Sequence, residues 1–163
     1  MSPRGVGETS APSDEDLAAW SELALEEAIR AAELEEVPVG AVVVLGGEVI
    51  GRGHNRTLID CDPTAHAEVV ALREAARSVG NHRLPGSVLV TTLEPCLLCC
   101  GAIVQARVAW LHHAADDPKA GALHLLERAE EEGKVNHRVL RGRAPGGERA
   151  SELLRSFFRA RRS

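Results

Sequence analysis

An α/β fold, a three-layer α/β/α sandwich around a central mixed five-stranded sheet, follows from three features of the sequence. Short runs rich in Val and Leu alternate with longer segments whose apolar residues recur every three or four positions. The first two of these runs are joined by Gly46-Gly47, which makes a hairpin, and the later ones are separated by helix-length stretches. At 163 residues, 44% hydrophobic and 26% charged, the chain has the size and apolar content of one domain with a single core. The order reads αββαβαβα(β)α, with no internal repeat and no linker long enough to divide it.

Each element has its own signal. Ser13 before Asp14, Glu15 and Asp16 offers a helix N-cap with acids in the first turn, and Leu17, Trp20, Ala24, Ala28, Ala31 and Leu34 continue it as one apolar stripe. Residues 39–45 and 48–53 are the strands of the hairpin. A loop through Asp60 and Asp62-Pro63 leads to a helix over about 65–79, closed by Gly80. Residues 87–92 form the third strand, and Pro95 introduces a helix over about 96–106. Residues 108–113 make the fourth strand, 123–132 a helix and 136–140 a short fifth strand. Leu153, Leu154, Phe157 and Phe158, at helical spacing in an Arg-rich tail, make the last helix.

Composition excludes several classes of function. No apolar run approaches the roughly 20 residues of a membrane span. The opening segment MSPRGVGETSAPSDED lacks the apolar core of a signal peptide; residues 1–12 are expected to be a disordered lead and 13–163 one cytoplasmic domain. Gly51-Arg-Gly53-His-Asn-Arg56 lacks the third glycine of a dinucleotide loop, and neither a phosphate-binding P-loop nor a serine nucleophile elbow is present. With two Phe, two Trp and no Tyr, extensive stacking of bases on aromatic platforms is ruled out. The net charge of −5 conceals a gradient from −8 over residues 1–36 to +5 over residues 141–163. The basic end suits a phosphate-bearing partner, or simply a solvated helix face.

Two segments carry chemistry: Thr64-Ala-His66-Ala-Glu68 and Glu94-Pro95-Cys96-Leu-Leu-Cys99. Cys96 and Cys99, three apart at a helix start, present both sulfurs to one side, and the positive end of the helix favours their thiolates. In the first turn of the preceding helix the same dipole disfavours an imidazolium, which leaves His66 a free ring nitrogen. One imidazole and two thiolates make three ligands for a tetrahedral zinc with its fourth position open, the pattern of a catalytic site. Glu68 is the candidate base. Residues two apart on a helix lie about 200° apart, so His66 and Glu68 share a site only if His66 occupies the irregular helix entrance. Cys61 reads as a loop thiol and Cys100, turned about 100° from Cys99, as a small buried residue. Asn55 caps a strand-end turn or contacts a ligand, and alternation sends His112 and His113 to opposite faces of their strand.

The paired motifs resemble those of the zinc-dependent cytidine deaminase superfamily, with its H-x-E…P-C-x-x-C signature, and most closely the bacterial tRNA adenosine deaminases within it. The likeness runs from about Glu36 to Arg162. It includes Val37-Pro-Val-Gly-Ala41, Asn55-Arg56, Asp117-Pro-Lys-Ala-Gly121, Asn136-His-Arg-Val139 and Phe157-Phe-Arg-Ala-Arg-Arg162. The resemblance implies one zinc per subunit on His66, Cys96 and Cys99, and hydrolytic conversion of the wobble adenosine of a tRNA anticodon to inosine. Glu68 would move protons from water to the purine and then to the departing amine. It further implies that Val37 lines the base pocket, that Asn55 contacts the flipped base or ribose, and that Asp117 lies against the RNA. Phe157, Phe158, Arg159, Arg161 and Arg162 would meet the anticodon stem-loop, and the protein would be a homodimer. The alternative keeps the chemistry on a free base, nucleoside or nucleotide. Departures from the family pattern fall at Trp110-Leu-His-His-Ala114, Leu123-His-Leu-Leu-Glu127 and Arg141-Gly-Arg-Ala-Pro-Gly-Gly147.

Overall fold

A computed structural model describes residues 10–162. Residues 1–9, most of the expected disordered lead, lie outside the described residues. The order is α1 (Asp14–Glu33), β1 (Gly40–Leu45), β2 (Glu48–His54), α2 (Ala67–Val79), β3 (Val88–Leu93), α3 (Leu97–Gln105), β4 (Trp110–Ala115), α4 (Leu123–Glu131), β5 (Leu140–Arg143) and α5 (Gly147–Arg161). The five strands form one mixed sheet ordered β2-β1-β3-β4-β5. β1 is antiparallel to both β2 and β3, and β3, β4 and β5 run parallel. That division follows from the connections, since a two-residue turn can only reverse a strand whereas α3 and α4 return the chain for parallel pairing.

Strand alternation sorts the core into two layers. Ala41, Val43, Leu89 and Leu111 face α2, α3 and α4, packing on Ala71, Leu72, Ile103 and Leu126. Val42, Val44, Val88, Val90 and Ala114 face the opposite way and pack on Leu17, Trp20 and Leu23 of α1. α5 closes that second layer through Ala150 against Leu25 and Ala115. The expected three-layer sandwich is the observed one.

Several boundaries depart from the sequence reading: α2 and β4 each begin two residues later than expected, at Ala67 and Trp110, and two further departures have a local cause. The fifth strand is Leu140–Arg143 rather than 136–140: Val139 is fully buried but precedes the ladder, and pairing starts only where Leu140 meets Trp110. Leu34 is not part of the apolar stripe of α1; it is the exposed C-cap. The helix ends in a Schellman turn, with Glu35 in the left-handed region (φ 61°) and the Glu35 and Glu36 N–H groups donating to Ala32 and Ala31 carbonyls at 3.0 and 2.8 Å. The usual glycine is absent there, so no local residue signals the stop. The turn sends Glu36 into the interior, where it is fully buried.

The glycines of β2 set the position of α2. A Cβ on Gly53 would stand 2.3 Å from the Ala67 carbonyl oxygen, and one on Gly51 would stand 2.3 Å from that of Ala71. Their hydrogens let the helix backbone rest directly on the strand. The N-terminus of α2 is thereby brought beside the C-terminal end of β3 and the start of α3.

Candidate metal centre and active site

Helix entrances supply the first two functional side chains. His66 is the N-cap of α2, with φ −73° and ψ 153°, and is not a residue of its first turn. The extended conformation removes the 200° offset, so His66 and Glu68 point into one site as the spacing required. Cys96 is likewise the extended N-cap of α3, while Cys99 lies one turn in and is fully buried. His66 Nδ1 stands 3.4 Å from Cys96 Sγ and 3.5 Å from Cys99 Sγ, and all three donor atoms fall within 4.8 Å of one another. A tetrahedral zinc with bonds of about 2.1 Å to nitrogen and 2.3 Å to sulfur separates its ligand atoms by about 3.6–3.8 Å. The imidazole–thiolate set fits that ion in both chemistry and spacing.

The electrostatics differ in one respect from the helix-dipole expectation. Hydrogen bonds from Cys99 and His66 hold the Cys96 thiol down at about 3, so Cys96 is a thiolate. The hydrogen bond to Cys96, with that negative charge, raises His66 above its ordinary value against the opposing effect of burial. Cys99, which hydrogen-bonds to Cys96 and is buried beside Glu68, is pushed up. Cys100 is neutral and buried, pushed up to about 12 by burial, with its Sγ 3.8 Å from the Pro95 carbonyl. Cys61 is exposed. Neither extends the ligand set.

Glu68 is 4% exposed, and burial raises its pKa. Its Oε1 accepts from Thr91 Oγ1 at 3.0 Å and its Oε2 from Cys99 Sγ at 2.6 Å. A carboxyl shifted upward in this way is better suited both to take and to return a proton than an ordinary exposed one. Thr91 belongs to neither chemistry-bearing motif. Its signal is the β3 alternation, which places it on the α2 face of the strand beside Leu89.

A cavity of about 270 Å³ opens over these groups, lined among others by Val37, Val39, Asn55, Thr57, His66, Glu68, Cys96 and Asp117. The structure thus brings Val37, Asn55 and Asp117 to the same pocket as the ligand set. Asp117 is carried by the loop after β4, which Glu94 anchors: its carboxylate accepts the N–H of Asp117 at 3.2 Å and of Leu123 at 3.3 Å. Asp117 Oδ1 in turn accepts from the N–H groups of Lys119 and Ala120. Phe157, Arg159 and Arg162 do not line this pocket. Phe157 is half-buried beneath the Arg161 guanidinium, 4.2 Å from the ring centre, and edge-on to Phe158. Phe158 is 43% exposed and, with Arg159 and Arg162, borders a separate shallow depression on α5. In a second group, Glu94, His113 and Asp116, the Arg143 guanidinium already bonds two members, His113 and Asp116. His112 points the other way, stacked on Trp110 with 5.6 Å between ring centres.

Comparison with known proteins agrees with the geometry. The family described as the cytidine and deoxycytidylate deaminase zinc-binding region matches residues 14–114. A tRNA-specific adenosine deaminase of Agrobacterium fabrum (strain C58) is 46% identical over 145 residues, spanning 88% of this chain and 94% of the relative. A solved structure from a study of A-to-I editing by tRNA:A34 deaminases at the wobble position is 43% identical. It has a TM-score of 0.79 and covers 83% of this chain and 99% of its own. The guanine deaminase of Bacillus subtilis is 37% identical, with a TM-score of 0.58 over 60% of this chain and 63% of its own. The chain belongs to the cytidine and deoxycytidylate deaminase family, in its tRNA-specific adenosine deaminase branch.

Proposed function

We propose that this chain is a zinc-dependent aminohydrolase that converts adenosine to inosine at the wobble position of a tRNA anticodon. The carrying observation is the buried Glu68 beside the His66, Cys96 and Cys99 donor set, at the floor of a base-sized cavity. Support for the tRNA substrate comes from the near full-length similarity to tRNA-specific adenosine deaminases. His66, Cys96 and Cys99 hold the zinc, one ion per subunit. When bound there, it supplies a Lewis acid that makes water a nucleophile at neutral pH.

The chain's own groups do the rest. Glu68 accepts a proton from the attacking water as the new C–O bond forms at C6, and delivers it to the purine ring. It then assists the second transfer, to the amino group, so that the C–N bond breaks and ammonia leaves. Thr91 holds the Glu68 carboxyl in place, and Val37 and Val39 close the apolar wall that excludes bulk water. Asn55 and Asp117 orient the nucleoside. Arg159 and Arg162, with Phe157 and Phe158, contact the RNA outside the pocket, where an exposed basic helix gains from phosphate neutralisation.

Residues 13–163 act as one cytoplasmic domain. Among the described residues no helix is long and apolar enough to cross a membrane. The enzyme works as a homodimer, a reading supported by α3, which leaves Leu97 65% exposed and Leu98 41% exposed. Zinc-loaded protein is given an arginine anticodon stem-loop with a wobble adenosine beside a panel of free bases and nucleosides, and ammonia and product mass are measured. Inosine in the stem-loop with little turnover of the panel is the expected result. A second reading, deamination of a free purine, draws on the guanine deaminase similarity; turnover of the panel with an untouched stem-loop would establish it instead.

A further inference from the structure

The Schellman turn that ends α1 delivers a carboxylate to the back of the pocket, where the catalytic steps make no use of it. Glu36 is 0% exposed, and each of its four partners is a donor. Its Oε1 accepts the backbone N–H groups of Leu58 and Ile59, both at 2.8 Å. Its Oε2 accepts from Asn55 Nδ2 at 2.9 Å and from Thr57 Oγ1 at 3.4 Å. The Leu58 and Ile59 bonds tie down the loop that follows β2, whereas the Asn55 bond acts on a pocket residue.

A carboxylate can only accept, so the atom Asn55 turns toward Glu36 has to be its amide nitrogen. The other contact of that nitrogen is to Thr57 Oγ1 at 3.4 Å, so both of its N–H groups are directed to partners within the protein. What Asn55 offers a substrate is therefore its carbonyl oxygen, Oδ1. We infer that Glu36 is a positioning residue for specificity: it fixes the Asn55 amide so that the pocket presents an acceptor and selects a nucleoside offering a hydroxyl or amino donor there. An uncharged partner at position 36 would let the amide turn over and present a donor instead. A polar group left facing a like group in a buried site is strongly disfavoured, so discrimination at such a position is large. This inference rests on the proposal that Asn55 contacts the substrate.

Glu36→Gln isolates the effect. The introduced amide oxygen can keep the Leu58 and Ile59 N–H groups, so the loop stays anchored, while its NH2 group faces Asn55 and forces that side chain to flip. On the wobble-adenosine stem-loop, KM rises about tenfold or more while kcat changes far less, with zinc content and circular dichroism unchanged. Adding Asn55→Asp returns an oxygen to the pocket and a matched acceptor to the introduced amide. The double variant E36Q/N55D then recovers a KM within about threefold of wild type, which a loss of loop structure would not do. An E36Q enzyme with wild-type KM, or a double variant no better than E36Q, overturns the inference.

A second measurement leaves Glu36 untouched. In Glu68→Gln protein bound to the stem-loop, the Asn55 side-chain NH2 protons should stay in nuclear Overhauser contact with Thr57 and the Leu58 amide. Their transfer to contact with the RNA overturns the assignment. If wild type turns over only a free purine, the substrate reading falls, and the same variants compared on that purine decide the Asn55 orientation.

Discussion

The pocket between the N-termini of α2 and α3 is built from buried groups, and the outer face of α5 from exposed ones. In the pocket, Glu68, Cys99, Glu36 and Thr91 are each at least 96% buried, and each has a named partner. On α5, Arg155 and Arg159 share the single carboxylate of Glu152 in open solvent, and Arg161 lies over Phe157. Exposed pairs of that kind contribute little to stability, so the phosphates of the proposed RNA partner would displace Glu152 at small cost. Bond-making chemistry needs a dry site where a carboxyl is shifted and fixed, whereas holding a polyanion needs cations that water and salt can reach. The two regions should therefore answer differently to the same kinds of perturbation.

The largest contrast is expected at Glu68. Glu68→Gln keeps the shape of the pocket and one ion of zinc per chain, and lowers kcat by at least about 10²–10⁴-fold. Metal analysis beside single-turnover kinetics checks this, and a variant within tenfold of wild type would remove Glu68 from proton transfer. Next is the packing that sets the pocket. Gly53→Ala drives a methyl to within contact of the Ala67 carbonyl and costs about 1–3 kcal/mol in urea unfolding, with loss of activity as α2 shifts. An equally stable, equally active variant would mean that α2 does not depend on this close approach.

On the exposed helix the response should be graded and salt-dependent. Arg159→Ala with Arg162→Ala raises the Kd for the stem-loop about tenfold at low salt. It flattens the slope of log K against log salt by about 0.7 per lost contact and leaves the melting temperature in place. A salt slope identical to wild type would place the RNA elsewhere.

The smallest effect concerns the strand between the two regions. Burial holds His112 below its ordinary value of about 6.5, so it is neutral in the folded protein. Below about pH 6.5 the unfolded chain binds a proton that the folded chain resists, and stability falls as pH drops toward the folded value. His112→Leu should show a shallower loss of urea midpoint between pH 7.5 and 5.5 than wild type. Equal losses would assign the acid sensitivity to other groups.

Local patterns in the sequence were sufficient for most of the architecture and for picking out the candidate donor set. Helix periodicity, the Gly46-Gly47 turn and the Ser13 cap each act within a few residues, and they produced α1, the hairpin and the two helices of the site as expected. His66, Glu68, Cys96 and Cys99 were legible because metal-binding and helix-start chemistry constrain residues only two or three positions apart. The fifth strand lies away from its expected position because β5 is short and half-exposed, so its register is fixed by β4 rather than by any alternation of its own.

Tertiary structure alone decided what surrounds those four residues. Glu36 meets Asn55 across 19 positions, Thr91 meets Glu68 across 23, and Glu94 reaches Asp117 across 23. No short-range pattern ties such partners together, because a hydrogen bond between distant segments constrains their geometry and leaves their spacing free. The sequence by itself determined which atoms could bind a metal and move a proton. The fold decided that His66 caps its helix instead of entering it, that Glu68 is dry enough to be shifted upward, and that Asn55 faces the pocket with its amide already committed to Glu36.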